Sequence, residues 1–206
     1  MQTAMAVPPT LDEIPTMTAK ADLRKILKNK CQAFVKQSDC QDQFESGIAR
    51  TIALLSGANC IAGYVRFGCE VCPQHLLEMA AARGIALALP HIGARGTAMT
   101  FKTWQVDQPL YQASFGFLQP AQDNDEAAPD TILVPLVGFD RQMNRLGQGA
   151  GHYDRILSLF PNALRIGLGW SCQEIEALPA DPWDVPLDGV LTEKEWIVGP
   201  KSRIEA

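Results

Sequence analysis

The chain has 206 residues, enough for one ample domain or at most two small ones, and enough to bury a full core. With 47% hydrophobic and 20% charged residues it reads as a soluble globular protein, and no apolar run approaches the length that spans a bilayer. A net charge of −5 excludes a global basic field for nucleic acid or an anionic membrane, so an anionic ligand has to be met by a local basic cluster.

Residues 1–17, MQTAMAVPPTLDEIPTM, have neither a basic start nor an apolar stretch of secretory type and are expected to be a mobile extension. The rest, 18–206, is expected to be a single α/β domain. Thr18 can cap a helix whose apolar stripe is Leu23, Ile26, Leu27, Cys31 and Phe34. Lys20 and Arg24 share one face of it, as a solvated basic pair or as two cations aimed at one anion. A second amphipathic helix follows through Phe44, Ile48, Ile52 and Leu55, stopped by Gly57. Cys60–Val65 reads as a strand, Pro73 starts a helix that ends at Gly84, and Ile85–Leu89 reads as a strand closed by Pro90. This strand–helix–strand unit argues for a parallel sheet, and it leaves Glu70 beyond a strand's carboxyl end, where ligands collect in open α/β sheets. An exposed turn carboxylate fits the same residue equally well.

Met99–Trp104 reads as a strand, and residues 121–129, AQDNDEAAP, as a surface loop. The six cysteines are few for the length and are expected to be reduced thiols of a cytoplasmic protein. Cys69 and Cys72 form a C-x-x-C with no second pair for zinc, so incidental thiols are expected there.

Residues 130–155, DTILVPLVGFDRQMNRLGQGAGHYDR, carry the densest chemistry. An apolar strand, Thr131–Val137, feeds a polar turn and then Arg145-Leu146 and three glycines at every second position, Gly147, Gly149 and Gly151. Tyr153, Ile156, Leu157 and Phe160 then take helical spacing. Strand, glycine loop and helix start together suit an anion: unpaired amides and the positive end of the helix dipole attract phosphate, and glycine lets the backbone come close. Arg145 adds a cationic fork, and Asp154 a carboxylate that could hold a metal beside that phosphate. A glycine-rich turn that merely packs strand against helix is the competing reading. Beyond the loop, Leu164–Trp170 reads as a strand, Cys172–Leu178 as a short helix, and Gly189–Glu193 as a last strand.

The run Pro135…Gly138-Phe139-Asp140…Arg145-Leu146-Gly147-x-Gly149-x-Gly151-x-Tyr153-Asp154 resembles the signature of the 5-formyltetrahydrofolate cyclo-ligase family, and the resemblance extends from Ala19 to Glu193. It implies a mostly parallel sheet flanked by helices, similar to isomerase and CoA-transferase-like α/β folds. It also implies ATP- and magnesium-dependent closure of 5-formyltetrahydrofolate, possibly polyglutamylated, to 5,10-methenyltetrahydrofolate. By the same resemblance Lys20, Arg24 and the loop Arg145, Leu146, Gly147, Gln148, Gly149, Ala150, Gly151, His152 and Tyr153 would bind ATP, with Arg145 and Tyr153 at the reaction. Glu70, Met99, Phe101 and Tyr153 would meet the folate; Asp154 and Asp184, with Asp188 as the alternative to Asp184, would hold magnesium. Gln119 stands where the family has a glutamate, and Gln148, Ala150 and His152 also depart from its common residues. The rival readings are a nucleotide- or folate-binding relative without this activity and an ATP-independent isomerase or CoA-transferase type. No nucleic acid or membrane partner is expected, and the chain is expected to work as a monomer.

Overall fold

The computed structural model describes residues 20–37, 39–51, 55, 57–93, 98–113, 116–200 and 202. The expected extension, the Thr18 cap, and Ile52 of the second helix lie outside them. Two helices come first, α1 (Lys20–Gln37) and α2 (Cys40–Thr51), then β1 (Cys60–Ala62), α3 (Gln74–Ala81), β2 (Ala86–Ile92) and β3 (Met99–Trp104). A small ribbon, β4 (Tyr111–Gln112) with β5 (Leu118–Gln119), precedes β6 (Thr131–Pro135). A second ribbon, β7 (Gly138–Phe139) with β8 (Arg145–Leu146), leads to α4 (His152–Leu159). Then come β9 (Leu164–Leu168), β10 (Gly189–Leu191) and β11 (Trp196–Val198).

The main sheet has seven strands in the order β11-β10-β9-β6-β1-β2-β3. The five inner strands are parallel, and β3 and β11 close the edges antiparallel. Strand residues alternate between two cores, as a period-2 backbone requires of a sheet covered on both faces. Ile61, Leu87, Leu89, Leu133, Ile166 and Leu191 join Phe44, Leu76 and Leu77 on one side. Ala62, Ala88, Ile132, Val134 and Val190 join Ile156 and Leu157 of α4 on the other. The expected fold class, a single α/β unit with a mostly parallel sheet, is the one observed.

The chain runs outward from β1 to β2 on one side and from β6 to β9 and β10 on the other. Neighbouring strands β1 and β6 therefore diverge in their connections, and the crevice at their carboxyl ends is the sheet's switch point.

Several boundaries differ from expectation. Strand β2 continues through Pro90 to Ile92, because β1 has ended at Ala62, paired with Ala88, and no ladder bond to β1 is lost at the proline. The expected helix over Cys172–Leu178 is only a 3-10 turn, Ser171–Gln173. Beyond it, Ile175 N donates to Phe139 O at 3.0 Å and Leu178 N to Asp140 Oδ2 at 2.9 Å, so tertiary partners take the amides a helix would use. Cys31 and Cys69 are joined by a disulfide, with Cα atoms 6.1 Å apart, which corrects the expectation of reduced thiols at these two positions. Helix α1 lays Cys31 against the turn after β1, a contact that C-x-x-C spacing does not foretell. Cys72 is free.

Candidate active site

A cavity of about 510 Å³ opens at the switch point. After β1 it receives Tyr64, Val65, Phe67 and Glu70; from β2, Pro90 and Ile92; from the end of β6, Pro135. The segment 145–154 forms another wall, Lys20 and Arg24 of α1 a third, and Asp181, Trp183 and Asp184 arrive from between β9 and β10.

The polar turn between β7 and β8 sets Arg145. Asp140 is buried, and its carboxylate accepts from the amides of Gln142 and Asn144, each at 3.0 Å, and from Asn144 Nδ2 and Leu178 N, each at 2.9 Å. Held in this way, the ribbon delivers Arg145 with its side chain only 4% exposed. Arg145 Nη2 donates to Asp154 Oδ1 at 2.6 Å, and its guanidinium carbon lies 5.7 Å from the centre of the Tyr153 ring. The loop needs glycine for two separate reasons. A Cβ at Gly147 would sit 2.5 Å from Arg145 Nη1, while Gly149 has φ of 109° with the Arg24 guanidinium packed over it. Arg24 Nε also donates to Gly147 O at 2.8 Å, so α1 is tied to the loop. Among the described residues no side chain caps α4, which begins after Gly151, and its first amides are of the kind that suits an anion.

Lys20 Nζ meets Asp184 Oδ2 at 2.6 Å and Asp181 Oδ2 at 2.7 Å. Burial opposes the Lys20 charge, but the two carboxylates outweigh it and raise its pKa. Burial likewise works against ionised Asp184, yet the Asp181 amide and Lys20 prevail and hold it below the usual carboxylate range. Two of the cations expected to meet phosphate, Lys20 and Arg145, are thus paired with the two carboxylates expected to meet magnesium. Among the described residues no group of three or more His, Cys, Asp or Glu gathers as a metal site. Magnesium needs only one or two protein carboxylates because it keeps several waters, and Asp154 and Asp184, hard oxygen donors on one cavity wall each, fit that requirement. Asp188 does not: it accepts from Arg165 N at the amino-terminal ends of β9 and β10, the opposite edge of the sheet.

Glu70 anchors the other end. It is 7% exposed, and burial raises its pKa even though Gln148 Nε2 at 2.9 Å and Phe67 N at 3.0 Å both donate to the carboxylate. Gln148 thereby spans from the glycine loop to the turn after β1. The Tyr153 hydroxyl is buried with no hydrogen-bond partner among the described residues, and burial, with Glu70 nearby, keeps the phenol protonated. Partial burial, and then the charge of Arg155, push the His152 pKa down. Gln119 uses both halves of its amide on Ile92, accepting from its N at 3.0 Å and donating to its O at 3.3 Å. A glutamate could not make the second bond, which gives the departure at this position a structural use.

Met99 lines the cavity; Phe101 does not. Phe101, two residues along on the same face of β3, shares a core with Met99 and packs against Phe160 with ring centres 5.9 Å apart, away from the cavity lining where contact with substrate was expected. Asp181, Trp183 and Tyr64 line the cavity although the sequence alone does not single them out. An acidic Asp-Pro-Trp-Asp turn is the available signal for the first two.

A crevice at the switch point of a parallel sheet, with cations gathered at a glycine loop, is the kind of place where α/β enzymes take an anionic ligand. The model of the 5-formyltetrahydrofolate cyclo-ligase family matches residues 16–193, and the chain belongs to that family. It is 31% identical over 148 residues to the 5-formyltetrahydrofolate cyclo-ligase of Escherichia coli K12, covering 68% of this chain and 81% of that one. It is 38% identical over 99 residues to the Haemophilus influenzae cyclo-ligase, covering 45% of this chain and about half (53%) of that relative. The solution structure of Aquifex aeolicus 5,10-methenyltetrahydrofolate synthetase superposes with a TM-score of 0.76 at 26% identity, over 92% of this chain and 97% of that one.

Proposed function

We propose that the cavity holds ATP and 5-formyltetrahydrofolate side by side and performs the family's ring closure, giving 5,10-methenyltetrahydrofolate, ADP and phosphate. The observation that carries this reading is the meeting of Lys20, Arg24, Arg145 and the glycine loop with the buried Glu70 in one crevice. The loop amides and three cations receive the ATP phosphates, while Glu70, Met99 and the Tyr153 ring face the folate. The formyl oxygen attacks the γ-phosphorus and ADP leaves. The neighbouring nitrogen then adds to the formyl carbon and loses its proton, and phosphate departs with the electrons of the carbon–oxygen bond.

Such a transfer asks the protein for in-line positioning and neutralisation of spreading negative charge more than for a covalent partner. Arg145 suits that role because Asp154 and Tyr153 hold it in a nearly dry setting, where a fixed donor acts strongly. Asp154 and Asp184 would hold magnesium, which when bound offsets charge on the phosphate oxygens. Lys20 and Arg145 each carry several donors and can turn some of them to phosphate while still holding these carboxylates. Mixing the folded protein with 5-formyltetrahydrofolate, ATP and magnesium tests the reading by ultraviolet absorbance. Methenyl product that requires all three components is expected; no product from folded protein overturns it.

A further inference from the structure

Trp183 has no part in the chemistry above, yet it lines the cavity while 71% exposed as a residue, more than any other large hydrophobic residue among those described. Exposure here does not mean looseness. Asp184 N donates to Asp181 O at 3.0 Å and Asp181 N to Asp184 Oδ2 at 2.8 Å, closing the turn Asp181-Pro182-Trp183-Asp184 from both sides. Pro182 fixes one backbone angle at its second position, and Lys20 clamps both flanking carboxylates to α1. A rigid backbone thus presents a wide aromatic face to the cavity rim, a form of preorganisation that lowers the ordering cost of a ligand stacked on it.

The turn belongs to the cation end of the cavity. Lys20 lies one helical turn from Arg24, whose Nε holds the glycine loop, and Arg145 is close enough to Asp184 to act on its charge. Glu70 sits farther along α1, within reach of the Lys28 charge and with Tyr64 near it, while Tyr153 lies between it and Arg145. A flat ring belonging to the ligand whose phosphates meet those cations is therefore the ring within reach of the indole. We propose that Trp183 stacks on the purine base of ATP and fixes the nucleotide at the cavity rim. This rests on the nucleotide reading above. Stacking tolerates different bases, because each has a π-face, so discrimination between purine nucleotides at this position is expected to be weak.

Calorimetric titration of wild type, Trp183→Phe and Trp183→Ala with a non-hydrolysable ATP analogue and with inorganic tripolyphosphate tests it. Stacking losses measured for bases correspond to roughly five- to 150-fold in affinity. Trp183→Ala is expected to bind the analogue more weakly within that range, with tripolyphosphate affinity unchanged and Trp183→Phe retaining most of the analogue's affinity. Equal loss for both ligands, or loss for neither, overturns the assignment. A wild-type protein that binds the analogue but not tripolyphosphate contradicts the phosphate reading instead, so the two failures are distinguishable.

Discussion

Lys20 stands at the surface of α1 with two carboxylates around it, and removing it disturbs little packing. Charge-assisted contacts to phosphate are worth about 1.5–3 kcal/mol, so Lys20→Ala should weaken ATP use roughly ten- to a hundredfold with melting temperature nearly unchanged. Unchanged steady-state kinetics in ATP would remove Lys20 from the nucleotide site. Asp184 shares Lys20 with Asp181, so Asp184→Asn leaves that lysine one partner and should hardly alter stability. If Asp184 holds magnesium, the variant loses activity and regains part of it at high magnesium; a deficit indifferent to magnesium across a titration argues for a purely structural aspartate. Glu70 makes a prediction about pH. Its folded pKa lies above its unfolded one, so its contribution favours the fold below the ordinary carboxylate range and is lost as pH rises through the raised value. The melting temperature of Glu70→Gln relative to wild type should therefore climb as pH is raised from that range toward neutrality. A difference that stays flat, or falls, contradicts a buried, raised carboxylate.

The β7–β8 ribbon is the element on which the placement of Arg145 depends. Asp140 satisfies four donors from inside it and from the segment beyond the 3-10 turn. Leaving buried donors unpaired costs about 1–3 kcal/mol for each group, so Asp140→Ala should lower unfolding free energy by more than about 2 kcal/mol in a denaturant titration. A loss under about 0.5 kcal/mol would mean that the ribbon is held by other contacts. The ribbon also marks where sequence reading runs out. The glycine loop, the arginine before it and the helix after it are legible, because their chemistry is spelled out by neighbours in the chain. That Asp140 serves as a hub, and that residues 175–178 stay extended against it, depends on partners more than thirty residues away. The strand expected over Thr131–Val137 is two residues shorter for a similar reason: Pro135 ends the main sheet, and Val137 N turns to Leu146 O at 2.7 Å.

At the scale of the whole molecule, alternating apolar runs and the strand–helix–strand unit announce a parallel sheet, but not its order. Placing β6 beside β1 creates the switch point, and hydrophobic pattern alone does not choose a strand's neighbour. The same limit hides Asp181 and Trp183, since Lys20 and Asp181 meet across 161 positions of sequence. Once the order is set, Glu70 after β1 and the glycine loop after β6 must face one crevice, and two ligands can lie against each other there. The central claim is that this single crevice has a nucleotide end and a folate end. Its most direct test is the Michaelis constant for each substrate in Lys20→Ala and Glu70→Gln, with the other substrate saturating. Glu70→Gln keeps an acceptor for Gln148 and so spares the glycine loop. The account predicts a crossed result: Lys20→Ala raises the requirement for ATP, and Glu70→Gln raises that for 5-formyltetrahydrofolate. The reverse pairing, with Glu70→Gln acting on ATP and Lys20→Ala on folate, would contradict it.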